Sequence, residues 1–151
     1  MKNKIDCYGA SVSMRISEAQ IQWERFNAML VINTIFIGLI GFSFGKDFIV
    51  PTPIKEFLPL FGIFLCVLWF KVTRRGFMWT QFWTETARKI EEKDVDKNQI
   101  RPFNDGLIHK IENKTLLNTS ISSYLIIAIF ALIYFALLLI TISTFLNNLC
   151  I

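Results

Sequence analysis

The stretch Ser120–Leu146, SISSYLIIAIFALIYFALLLITISTFL, runs 27 residues without a charged side chain. A hydrocarbon core about 30 Å thick needs roughly 20 helical residues to cross it. This block crosses with length to spare. Two more apolar blocks lie upstream. Ala28–Phe44, AMLVINTIFIGLIGFSF, has 17 uncharged residues, and Phe57–Phe70, FLPLFGIFLCVLWF, has 14. The second is short, but Lys55 and Lys71 at its ends can extend their ammonium groups to the headgroups. Trp69 suits a membrane–water interface. A buried soluble helix or re-entrant segment is the competing reading for that short block. Three such blocks in 151 residues make an all-α membrane protein, with three transmembrane helices carrying cytoplasmic extensions and assembling as an oligomeric bundle.

Composition agrees. Hydrophobic residues make up 53% of the chain, which excludes disordered and collagen-like classes. Cys7, Cys66 and Cys150 are scattered and odd in number, so no disulfide framework or zinc site is expected. The polar stretch Met1–Asn27 lacks the apolar region of a cleavable signal, and the first block is expected to act as an uncleaved signal-anchor.

Charge sets the expected orientation. The segment before the first block and the loop Lys71–Thr119 together carry 14 Lys and Arg residues, while Gly45–Glu56 carries two and the tail none. The positive-inside rule puts the N-terminus and the long loop in the cytoplasm of a bacterial inner membrane, with the C-terminus outside.

Capping and breaker residues outline the elements. Residues 1–17 lack periodicity and are expected to be a flexible N-terminal segment. Ser17 with Gln20 fits a capping box, so a helix is expected over 18–44. Val50-Pro-Thr-Pro forces a turn. The second helix is expected over 54–93, passing from span to cytoplasm, with Gly76 its weak point. A polar linker over 94–104 precedes a cytoplasmic helix that runs into the third span, 105–147.

Two seams of small or polar residues mark the spans. Asn27, Thr34, Gly38, Gly41 and Gly45 recur along the first. Small residues let helix backbones approach, and polar ones bond across helices where lipid offers no partner. Helix packing is the plain reading of this seam, and lining of a pore is the sharper one. Asn33 lies off the seam and should face protein or water. Ser123, Tyr134, Thr141 and Thr144 mark the third span, although isolated hydroxyls also bond back to their own helix. No span contains Asp, Glu, Lys, Arg or His. That argues against a proton relay, an ion-coupled transporter or a voltage sensor, and leaves a neutral pore.

Beyond the second span, Arg74, Arg75, Trp79, Trp83, Arg88 and Lys89 form a basic and aromatic cluster that Arg101, Lys110 and Lys114 could complete. Anchoring to anionic membrane lipids explains it most simply. A nucleotide ligand or a cytoplasmic partner protein is the alternative, because arginine grips phosphate in a fork and tryptophan stacks on bases. Glu85, Glu91, Glu92, Asp94 and Asp96 dilute the field, so no extended nucleic acid is expected. The lone His109 and the absence of Gly-rich phosphate loops or nucleophile motifs point away from an enzyme, and no cofactor is expected.

Trp23-Glu-Arg-Phe-Asn through Asn33, Gly62-Ile-Phe-Leu-Cys-Val-Leu-Trp-Phe, and the aromatic-basic helix to Glu92 resemble a group of small bacterial membrane proteins. These are the SLATT-like effectors of nucleotide-signalled anti-phage systems, built from two spans and a long cytoplasmic helix. The resemblance covers about residues 18 to 93. It implies a homo-oligomer that permeabilises the inner membrane when a partner enzyme's signal changes. The third span and the missing large sensor domain depart from that pattern. A non-conducting membrane scaffold or accessory subunit is the alternative function.

Overall fold

The structure, a computed structural model, describes residues 2–43, 52–94, 101–103 and 119–149. The described residues form three helices: α1 Lys2–Ser43, α2 Thr52–Asp94 and α3 Thr119–Leu149. Each contains a window long and apolar enough to cross a membrane. The expected all-α membrane architecture is present. The turn over 44–51, most of the linker, the cytoplasmic helix expected over 105–118, and Gly45, His109, Lys110 and Lys114 lie outside the described residues.

The chain divides into two compact units where its charge begins. One comprises Met1–Arg25 with Thr73–Ser122, and the other Phe26–Val72 with Ser123–Ile151. Each of the three helices contributes residues to both units.

The apolar unit is a three-helix packing around Phe26, Ile40, Cys66, Trp69, Ile127 and Tyr134. Trp69, expected at the water interface, is wholly buried: its ring lies 5.0 Å from Phe26 and 5.7 Å from Phe130. Its Nε1 finds no acceptor among the described residues. Pro59 lies early in α2 and is fully buried. Gly62 is required by close approach. A Cβ there would overlap the Tyr134 ring, so no larger residue fits without moving α3 or the ring.

The charged unit pairs the first part of α1 with the last part of α2. Here α1 starts at Lys2, well before the expected start at Glu18. The reason is tertiary. Arg15 Nε donates to Thr84 Oγ1 at 2.9 Å, and the Tyr8 hydroxyl donates to Glu91 Oε1 at 2.7 Å. These bonds hold turns that have little apolar periodicity of their own. Gly76 sits where α1 passes: a Cβ would be 3.0 Å from Gln22 Cγ, a contact that flexible side chain can relieve.

Candidate functional site

In the apolar unit the polar residues sort into two sets. Asn33, Ser123, Tyr134 and Thr141 are buried, whereas Asn27, Thr34, Gly38 and Gly41 are exposed. Asn33 is the hub of the buried set. Its Nδ2 donates to Met29 O at 2.8 Å. Its Oδ1 accepts from the Tyr134 hydroxyl at 3.2 Å and from Cys66 Sγ at 3.9 Å, and the Tyr134 hydroxyl also reaches Asn33 O at 3.2 Å. One amide thus connects α1 to α2 and α3. An asparagine in hydrocarbon would otherwise leave its amide unsatisfied. Thr141 Oγ1 donates back to Leu137 O.

The exposed set lies on one flank of α1. Thr34 Oγ1 donates a hydrogen bond back to Leu30 O, and a Cβ added at Gly38 or Gly41 would meet nothing within 4 Å. All four residues are exposed, and no described side chain of the same chain lies over Gly38 or Gly41.

Among the aromatic and basic residues of the charged unit, Arg74, Arg75, Trp79 and Lys89 are exposed, while Trp83, Arg88 and Arg101 are partly covered. Arg88 has a structural task. Its Nε donates to Phe103 O at 3.3 Å, and its Nη1 lies 3.8 Å from Glu85 Oε1. Arg74 and Arg88 are some 21 Å apart along α2 at helical rise. One phosphate cannot engage both ends, so the cluster is two separate groups. Trp79, Phe82 and Trp83 form an edge-to-face ladder, with centroids 5.7 and 5.2 Å apart.

Sequence reasoning missed the strap at the end of α2. Glu91 is buried, and both its carboxylate oxygens accept from the Phe103 N–H, at 3.2 and 3.0 Å. Arg88 holds the same residue's carbonyl. The Phe103 ring meets Tyr8 edge-on at 6.4 Å, and Arg15 stacks over it at 5.5 Å. Burial, then the Glu91 hydrogen bond and charge, push the Tyr8 phenol up to about 12. The spacing Tyr8–Ser11–Arg15 on one helical face was the available signal. The partner at Phe103 had none. Among the described residues no cluster of His, Cys, Asp or Glu could hold a metal.

Three long apolar helices, an internally satisfied polar hub and an uncovered small-residue flank define an α-helical membrane protein built to pack against further helices. Over residues 5–143 the sequence matches the Octameric membrane protein family (8xMP), and the chain belongs to that family. It is therefore an oligomeric membrane protein. The expectation of a small oligomeric membrane protein is met on this ground. Comparison with curated proteins and with solved structures finds no match.

Proposed function

We propose that eight copies of this chain assemble into a charge-neutral membrane pore in which α1 borders the path. The carrying observation is the pairing of two features of α1. Its span has no charged residue, and its Asn27–Thr34–Gly38–Gly41 flank is exposed, with open space where a side chain would stand at Gly38 and Gly41. A single three-span chain has no interior wide enough for water, whereas a ring of copies encloses one. Asn33, Tyr134, Ser123 and Thr141 serve the helix contacts within each copy. The exposed flank serves the junction between copies and the path beside it. With no charge in the spans, permeation is set by width and wetting.

In this reading the chain sits in a bacterial inner membrane, with the basic unit and N-terminus cytoplasmic. It acts as the membrane effector of a nucleotide-signalled anti-phage system and is gated through its basic helices. Arg75 and Trp79 are four residues apart on one helix face, which suits a phosphate beside a stacked base. Lys89 and Arg101 belong to the second cationic group, near Arg88.

Flux from liposomes holding the purified oligomer tests the pore. Ion or dye release, or depolarisation of cells on induction, is the expected result. An oligomer that stays silent with every nucleotide tried overturns it. The exposed Met78, Trp79 and Phe82 favour a second reading, a scaffold that recruits a cytoplasmic partner protein. Stoichiometric co-purification of that partner without flux would establish the scaffold instead.

A further inference from the structure

The oligomer needs surfaces, and the apolar unit offers two unlike ones. The first is an open groove of about 760 Å³ between α1 and the start of α2, walled by Phe36, Phe57, Phe61 and Phe64. The three α2 rings are at least half exposed. The second is the flank of Thr34, Gly38 and Gly41, where a side chain would find open space.

Symmetry makes the pairing of these surfaces specific. Copies inserted into a membrane by one charge rule share one orientation, so the axis relating them lies along the membrane normal. A closed ring of more than two such copies requires a head-to-tail contact between two different patches. Rotation about the normal also preserves depth, so the two patches must lie at the same level. They do. Phe36 and Gly38 are two residues apart, ~3 Å along α1 yet about 160° around it. The Phe36 ring touches Phe61 at 5.5 Å, which brings the α2 wall to that level too. The shapes are complementary: one patch carries projecting rings, and the other lacks side chains where rings would land.

We propose that the Phe36–Phe57–Phe61–Phe64 groove of each copy receives the Thr34–Gly38–Gly41 flank of α1 from the next copy. This rests on the oligomer in the reading above, but not on conduction. The ring then closes with Val31, Ile35 and Phe42, on the side of α1 away from the buried face, turned toward the axis. Phe42 is 76% exposed in the single chain.

Cysteine cross-linking in native membranes tests the contact, in a background with Cys7→Ser, Cys66→Ala and Cys150→Ser. A chain carrying both Gly38→Cys and Phe61→Cys should, on copper–phenanthroline oxidation, give a ladder from dimer upward. A mixture of the two single variants should stop at dimers, and each single variant alone should stay monomeric. Self-dimerisation of Gly38→Cys alone overturns the head-to-tail pairing. So does a missing ladder while native mass spectrometry still reports the oligomer; quenching of a Phe61→Trp variant by brominated lipid would then give the groove to an acyl chain. A protein monomeric throughout overturns both this contact and the oligomeric pore. The double variant Gly38→Leu, Gly41→Leu has room for its side chains within the chain. It should keep its helix content and lose the oligomer, and an intact oligomer counts against the contact.

Discussion

At Gly62 a hydrogen is the only side chain that leaves room for the Tyr134 ring. Gly62→Ala should therefore cost roughly 1–3 kcal/mol through overpacking, read as a lower unfolding midpoint in detergent. An unchanged midpoint would mean that α2 and α3 are not held at this distance. Tyr134→Phe keeps the ring and removes only the hydroxyl that bridges to Asn33. Interhelical hydrogen bonds in membranes average about 0.6 kcal/mol and reach about 1.7. A loss of about 1 kcal/mol is expected, and a double-mutant cycle with Asn33→Ala should show the two effects to be non-additive. Tyr8 makes a pH prediction. Its raised pKa means that the folded chain holds the phenolic proton more tightly than the unfolded chain does. That stabilisation is complete below the unfolded value near 10 and disappears as pH climbs through about 12. Melting the protein and Tyr8→Phe across this alkaline window checks it. The wild-type midpoint should fall more steeply, and parallel curves would refute the linkage.

Among the elements, the strap at Phe103 is where local pattern and tertiary outcome part. The residues Arg101-Pro-Phe read as linker, and they are linker in backbone terms. Their order comes from Glu91 and Arg88, which hold the N–H and the carbonyl of one residue from one helix face. Glu91→Ala should release that N–H at a cost of about 1–3 kcal/mol. Hydrogen exchange at the Phe103 amide should accelerate roughly tenfold or more, and an unaltered rate would show that the carboxylate is not the anchor. The same contrast explains the start of α1. Ser17 with Gln20 is a sound capping signal, yet the helix continues N-terminal to it because Arg15 and Tyr8 find partners on α2. A local start signal yields when earlier turns gain tertiary bonds.

For the whole molecule, family membership leads to an expected mass, and the proposed pore to an expected activity. The native particle should weigh eight times the 17.6 kDa chain plus bound lipid. Native mass spectrometry reads this directly, and another stoichiometry would change the ring and the width of its path. In the proposed pore, Ile35→Glu would place a carboxylate in every copy on the side of α1 turned toward the axis. Its expected effect is a shift of liposome flux toward cations, with ion selectivity read from reversal potentials. A variant that still assembles and conducts without that shift would put the path elsewhere.

The three spans were legible because hydrocarbon demands long uncharged runs, a constraint written residue by residue into Ser120–Leu146 and its two companions. The absence of Asp, Glu, Lys, Arg and His from those runs was equally open to inspection. What periodicity could not assign was the direction each polar residue takes. Asn33 and Thr34 are adjacent and both polar, yet one is buried at the hub and the other lies on the uncovered flank. A turn of about 100° per residue separates them, and only the arrival of Tyr134 and Cys66 from other helices decides which side is inside. The same holds for Trp69, whose type fits an interface but whose ring is claimed by Phe26 and Phe130. Solvent preference is a property of a segment, whereas facing is a property of the neighbours it meets.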